Sequence, residues 1–260
     1  MNINKKTLLT SIMVFMMTSC TNTQQHSMLN MSMKYTSMLD RASHAFVFLS
    51  IISVVTRSCP DSKVICEQEA IRMSATGIVV KKHNNRIKMI TANHFCEDHV
   101  GILEKVVIEN EKKVTYTLTT ILNVLDHSGK ILTDSLVVAT DKSSDLCLID
   151  ATSQNINDIE ALQLADSEPE RYTTVYNIAA PLALYSPGSP LAFSGIYVGM
   201  NIRKTRTIVT IPVNPGSSGS MLIDQEGRLF SVILELAHRN FSHVALGAPL
   251  ENIKKILVGH

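Results

Sequence analysis

Neither sign of charge dominates this sequence, and none of its apolar runs is long. Lys and Arg number 24 against 23 Asp and Glu, a formal net charge of +1. No basic stripe is left to follow a phosphate backbone, so nucleic acid is excluded as a partner. The two strongest apolar runs, residues 8–17 and 45–55, are far shorter than the roughly 20 residues a helix needs to cross a bilayer. Tryptophan is absent and there is little internal repetition. No Cys/His grouping has the spacing of a zinc site, the nearest being His94 with Cys96 and His99, and no metal or other cofactor is expected. What remains is a chain of 260 residues, 45% hydrophobic and 18% charged, enough for one to two domains with ample core.

Residues 1–20 read as a leader rather than as fold. Lys5 and Lys6 make a positive start, Leu8 to Met17 an apolar stretch, and Thr18 and Ser19 are small residues before Cys20. This resembles the bacterial lipoprotein signal, in which the cysteine is acylated and becomes the mature N-terminus. Met17 departs from that pattern, which usually has Leu there. The alternative is an ordinary secretory signal or an uncleaved anchor, with Cys20 incidental. The lipoprotein reading implies export to the cell envelope or periplasm and attachment to a membrane through a lipid on Cys20. Residues 21–44, rich in Asn, Gln, Ser and Thr with scattered Met, are expected to form a polar linker, weakly helical at most around Met28 to Lys34.

From residue 45 onward the pattern is all-β. Ala45 to Val55 is a β-branched run, one long strand or two short ones. Ile71 to Val80, Ile87 to Ala92, Val106 to Ile108, Thr115 to Val124, Leu136 to Thr140 and Leu146 to Ile149 follow, separated by turn signals such as His127-Ser128-Gly129-Lys130. Regular short strands argue for a barrel or sandwich rather than βαβ units. Two stretches look helical: a short turn after His94, and Pro249 to Val258, with Ile253, Ile256 and Leu257 on one face.

Between the strands Thr207 to Ile211 and Met221 to Ile223 lies Val213-Asn214-Pro215-Gly216-Ser217-Ser218-Gly219-Ser220. Taken alone it is also an ordinary Gly/Ser turn. A serine becomes a nucleophile only beside a base and beside hydrogen-bond donors for the oxyanion it creates; flanking glycines let the backbone turn sharply and aim N–H groups at that oxyanion. Ser218 is the candidate. His94 ends the strand through Met89-Ile90-Thr91-Ala92-Asn93 and is the candidate base. Asp145 opens the strand Leu146-Cys147-Leu148-Ile149 and is the candidate acid that orients it. Asp141 and Asp150 flank it as ordinary strand-end acids.

Thr91-Ala92-Asn93-His94, Asp145-Leu146-Cys147-Leu148-Ile149 and Asn214-Pro215-Gly216-Ser217-Ser218-Gly219 resemble, in that order, the His, Asp and Ser motifs of trypsin-like (chymotrypsin-fold) serine proteases. The nearer likeness is to the bacterial high-temperature-requirement (HtrA-type) proteases, on Ser74-Ala75-Thr76-Gly77-Ile78-Val79-Val80, the Val213-Asn214-Pro215-Gly216 loop and Leu246-Gly247-Ala248-Pro249-Leu250. The likeness spans about residues 70–257. Ser220 and Met221 stand where relatives usually have Gly and often Pro. The resemblance implies two six-stranded antiparallel barrels with a short C-terminal helix: a protease domain over 45–260, barrel one about 45–160 and barrel two about 161–250. It implies a serine endopeptidase acting on protein or peptide, with His94, Asp145 and Ser218 catalytic and the N–H groups of Gly216 and Ser218 as oxyanion hole. A protease-fold binding or assembly factor that is catalytically silent is the other reading.

The same resemblance carries further expectations. Ser217 lacks the acidic side chain of zymogen-activated members, so activation by cleavage is not expected. No room for a PDZ domain follows the helix, so assembly and peptide regulation do not carry over, and oligomeric state stays open. Ser231 to Leu236 should wall the primary pocket and Ile211-Pro212-Val213 should floor it. With no Asp there, small or medium aliphatic side chains fit better than Lys or Arg, and Glu235 is the one charge nearby. With Cys20 acylated, Cys59, Cys66, Cys96 and Cys147 allow three pairings. Cys59 and Cys66 can close a short loop, and Cys96 and Cys147 each follow a candidate catalytic residue by two positions.

Overall fold

The computed structural model describes residues 33–58, 65–97, 101–109, 112–238 and 240–258. The leader with Cys20, the segment 21–32, Cys59, the Cys66 side chain and His99 lie outside the described residues. The chain divides into a short unit through Asp40 and a second unit from Arg41 onward. Residues 33–43 form a helix, α1, where composition alone suggests a tether.

The first half of the second unit is a sheet closed on itself. Strands β1 (Phe46–Ser58), β2 (Ile65–His83), β3 (Arg86–Ala92), β4 (Gly101–Glu109), β5 (Lys112–Asp126), β6 (Ile131–Asp141) and β7 (Leu146–Thr152) are antiparallel, in the order β1-β2-β3-β7-β6-β5-β4. A further β1–β5 pairing, Val47↔Asp126 through Arg57↔Tyr116, joins the ends and closes six of them into a barrel. β4 is the seventh strand. It lies along Lys112–Thr120 of β5, on the edge that meets β6 at Val124 and Leu125. Both faces of these strands are covered: Phe46, Ile78, Leu146 and Leu148 on one face, and Leu49, Ile87 and Met89 on the other, are fully buried, each worth about 1.5–3 kcal/mol against exposure.

The chain passes from one barrel to the next at Leu162, whose N–H donates to Val79 O, and at Leu164, which bridges to Leu229. The second barrel is β8 (Thr174–Ala179), β9 (Leu191–Met200), β10 (Thr207–Val209), β11 (Met221–Ile223), β12 (Leu229–Leu236) and β13 (Ala245–Ala248), closed in the order β10-β13-β12-β11-β8-β9. Its core gathers Val175, Tyr197, Val209, Ile211, Leu222 and Phe230, with Tyr197 edge-on to Phe230 at 5.7 Å. α2 (Asn93–Cys96) is the short helix after β3, and α3 (Leu250–Val258) closes the chain. α3 buries Leu250, Ile253 and Ile256, and the Glu168 carboxylate accepts its first N–H, Leu250, at 3.0 Å. The all-β architecture of two six-stranded barrels and a C-terminal helix agrees with the sequence reading; β4 is an addition to it.

Candidate active site

Strand register brings the first two candidates together. β3 and β7 pair with Ala92 opposite Leu146, so the residues just past one strand and just before the other are neighbours. There the backbone leaves the sheet. Asn93 N–H donates to Asp145 O at 3.0 Å and His94 N–H to Asp145 Oδ1 at 2.8 Å. The other carboxylate oxygen, Oδ2, lies 2.8 Å from His94 Nδ1. These three contacts hold Asp145 at φ 58°, a left-handed conformation that an aspartate adopts at some cost. A disulfide between Cys96 and Cys147, 51 residues apart, fastens the same two chain segments two residues further on. One of the pairings open to the four cysteines is therefore present.

An aspartate fixed on Nδ1 leaves Nε2 as the free face of the ring, and His94 is half exposed, on the wall of a cleft. The hydrogen bond to Asp145 raises the His94 pKa above its ordinary value; burial opposes this, and the charges of Asp145, Glu235 and Glu97 add to it. The flanking acids are occupied elsewhere. Asp141 accepts hydrogen bonds from the N–H and hydroxyl groups of Ser143 and Ser144, which hold its carboxyl at about 2. Asp150 pairs with Arg86 at 2.5 Å.

The serine loop is built on two glycines for two reasons each. Gly216 has φ +97° and Gly219 φ +84°. A Cβ on Gly216 would sit 2.5 Å from Ala180 O, and one on Gly219 would collide with Thr76 O and the Thr91 hydroxyl. Leu182 N–H donates to Pro215 O at 2.6 Å. In a trans peptide this turns the N–H of Gly216 the opposite way. Neither that N–H nor that of Ser218 meets a backbone acceptor among the described residues. Two donors with one residue between them are thus left for an anionic oxygen.

Of the three serines, two have structural uses. Ser217 is 2% exposed and its hydroxyl accepts from Asn214 N–H at 3.3 Å; fully buried Ser220 accepts from Asn177 Nδ2 at 2.8 Å. The Ser218 hydroxyl stands in the cleft and donates to Leu234 O at 3.0 Å. It shares with His94 a cavity of about 380 Å³, walled by Val213, Asn214, Ile233, Leu234, Glu235 and Leu236. Only part of the expected pocket lines it. Ile233 to Leu236 do, but Ser231 and Val232 are in the core. Of the expected floor only Val213 reaches the cavity; Ile211 is in the barrel core and Pro212 faces outward. Glu235 pairs with Arg206 at 3.2 Å.

Three roles escape sequence reasoning: Thr76 as a brace, Leu182 N–H as a donor to Pro215 O, and Leu234 O as the acceptor of the Ser218 hydroxyl. Thr76 braces the serine loop from the other barrel: its N–H donates to Ser218 O at 2.9 Å, and its hydroxyl donates to Gly216 O at 3.0 Å and accepts from Ala180 N–H at 3.1 Å. The available signal was its place beside Gly77 in the strand before His94. Leu182 and Ala183 are consecutive non-glycine residues at φ 54° and 57°, with nothing in their side chains to announce it.

Residues 75–232 match the family described as "Trypsin-like peptidase domain". The chain is 22% identical over 246 residues to a "Serine protease HtrA-like" of Staphylococcus aureus (strain MRSA252), covering 86% of this chain and 28% of that protein. It is 27% identical over 197 residues to the Staphylococcus epidermidis (strain ATCC 35984) protein of the same name, covering 70% and 30%. The chain thus spans less than a third of the length of either. Its fold is similar to that of the serine endoprotease from Yersinia pestis, with a TM-score of 0.60 at 17% identity over 86% of this chain and 65% of that one.

Proposed function

Since the chain belongs to the trypsin-like peptidase family, we propose that it is a serine endopeptidase in which His94, Asp145 and Ser218 act as one catalytic unit. The observation that carries this reading is the His94–Asp145 hydrogen bond of 2.8 Å, on a cavity that Ser218 shares. A peptide enters with its scissile carbonyl against Ser218. The serine hydroxyl turns from Leu234 O to His94 Nε2, which accepts its proton as Oγ attacks the carbonyl carbon. The oxyanion takes hydrogen bonds from Gly216 and Ser218 N–H; loss of one such donor costs about 10²–10³ in rate. The imidazolium, stabilised by ionised Asp145, passes its proton to the leaving amine. Water then releases the acyl group by the same route reversed. The Val213, Ile233 and Leu236 lining supports an aliphatic residue on the acyl side.

Export and attachment to a membrane through lipid on Cys20 form the outer part of this proposal and rest on residues 1–20. No helix among the described residues is long and apolar enough to cross a membrane.

The Ser218–Leu234 hydrogen bond also favours a second reading, a binding factor whose serine stays turned from the base. Fluorophosphonate labelling and casein cleavage separate the two. We expect Ser218 to be labelled, and Ser218→Ala, His94→Ala and Asp145→Ala each to lose about 10⁴–10⁶ in turnover without adding up. Ser217→Ala should keep most activity. Folded protein, checked by circular dichroism, that takes no label and cleaves nothing is the binding factor. Activity that survives Ser218→Ala but disappears in Ser217→Ala or Ser220→Ala would move the nucleophile to that serine.

A further inference from the structure

Two cavities meet at Ser218, and they differ in charge. The one along β12 contains Glu235, already tied to Arg206. The other, about 450 Å³, lies on the far side of Ser218 between β2 and the turn at 180–184, and also reaches His94. Its walls are Met73, Phe95, Leu182 and Ala183, with Leu182 61% exposed. At its rim is Arg72. No Asp or Glu lines this cavity, and Arg72 has no ion-pair partner among the described residues.

Resting on the endopeptidase reading, the two cavities divide a substrate at its scissile bond. The acyl half lies along Leu234–Leu236, past the end of the β11–β12 pairing, with its side chain among Val213 and Ile233. The leaving half then enters the cavity beneath Arg72, where His94 releases its proton to the amine. β2 has an open edge there: it pairs with β1 from Ile65 on, but its pairing with β3 begins only at Ile78. A peptide can add to that edge through main-chain hydrogen bonds, which give affinity and leave side chains to set preference.

An unneutralised guanidinium beside an apolar cavity is matched by a carboxylate on a methylene stem, because its forked donors fit both oxygens. We propose that Arg72 is a specificity-determining residue that selects a carboxylate within the first residues after the scissile bond. An acidic side chain and a free chain terminus supply the same chemistry.

The test uses the full chain and two series of quenched-fluorescence peptides with one acyl half. In the first, amidated at the C-terminus, each position after the scissile bond is Glu, Gln or Lys. In the second, all are neutral and the C-terminus is free or amidated a few residues on. Wild type should favour Glu over Lys by about three- to tenfold in kcat/KM at low salt, and less at high salt. Arg72→Gln should level the series, and Arg72→Glu should invert it. A preference for the free terminus, with indifference to Glu, makes the terminus the source. The same ranking in all three proteins overturns the proposal, as does salt-insensitive indifference in wild type alone should the variants fail to fold. Fluorophosphonate labelling separates the two failures. Labelled, active enzyme without charge preference refutes the role of Arg72 only; no label and no cleavage refutes the endopeptidase reading and this inference with it.

Discussion

Replacing Thr76 with valine tests how one barrel holds the serine loop of the other. Thr76 is fully buried. Its hydroxyl donates to Gly216 O at 3.0 Å and accepts from Ala180 N–H at 3.1 Å, joining the serine loop to the turn that carries Leu182. Valine keeps the shape and the backbone bonds but strands one carbonyl and one N–H in a site sealed from solvent. An unsatisfied buried group costs about 1–3 kcal/mol, so the two together should cost about 2–6 kcal/mol. Thr76→Ser keeps the hydroxyl and loses one methyl, about 1 kcal/mol. Urea unfolding followed by circular dichroism suits the measurement, since the chain has no tryptophan. The Gly216 peptide is also released, so fluorophosphonate labelling of the valine variant should slow at least tenfold, the equivalent of about 1.4 kcal/mol. A valine variant within about 1 kcal/mol of wild type, labelled at the wild-type rate, would refute the brace. Serine as damaging as valine would show that the methyl matters and the hydroxyl does not.

Three further outcomes are expected. Glu235 raises the His94 pKa by its charge, and a base works only when neutral; Glu235→Gln should therefore lower that pKa and move the acid limb of the kcat/KM profile to lower pH, while an unmoved limb would count against His94 as the base. The Cys96–Cys147 disulfide closes a span of 51 residues, for which chain entropy predicts about 4 kcal/mol; Cys96→Ser should lose about 2–4 kcal/mol in urea titration, and an undiminished midpoint would mean that the bond does not form. Cys20→Ala should abolish lipid labelling and release the protein from the detergent phase, whereas normal processing and membrane retention would sink the lipoprotein reading.

What could be read in the sequence depended on whether local pattern and long-range contact agreed. β3 and β7 were plain, because Ile87 to Ala92 and Leu146 to Ile149 are apolar on both faces and end at polar residues. β8 and β9 carry no such mark. Buried Asn177 interrupts β8, where it donates to Ser220 and to Met221 O. β9 is half exposed and holds Gly195, where a Cβ would run into Ile211 and the Thr210 backbone. The outer parts of β1, β2 and β5 also extend beyond what the pattern suggests, since Thr56, Arg57, Lys112 and Lys113 lack apolar alternation and pair across strands instead. At the site, His94, Asp145 and Ser218 each carry chemistry that few residue types can supply, and so each could be named. Leu182 and Leu234 act through backbone N–H and C=O groups, which every residue has, and only the tertiary structure singles them out.

Backbone strain follows the same division. Among the described residues, seven non-glycine residues have positive φ. Asn84 and Lys204 are exposed, and Asn84 sits in the β2–β3 turn, where such a conformation is an ordinary way to reverse a chain. Leu182 and Ala183 instead line a cavity that Ser218 also lines, and Asp145 is bonded to His94 on its wall. Each such residue costs on the order of 1 kcal/mol and persists only where its surroundings over-determine it. For Asp145 these are the N–H groups of Asn93 and His94. For Leu182 it is the hydrogen bond to Pro215 O that turns the Gly216 N–H away from that carbonyl. Both strained points hold a polar group in place before any substrate arrives: the Asp145 carboxylate beside His94, and the Gly216 N–H that the proposed mechanism gives to the oxyanion. The most direct physical reason for a folded chain to carry such strain is that these groups must not have to be oriented when charge develops. The one group still facing elsewhere is the Ser218 hydroxyl. The proposed mechanism requires it to turn from Leu234 O toward His94.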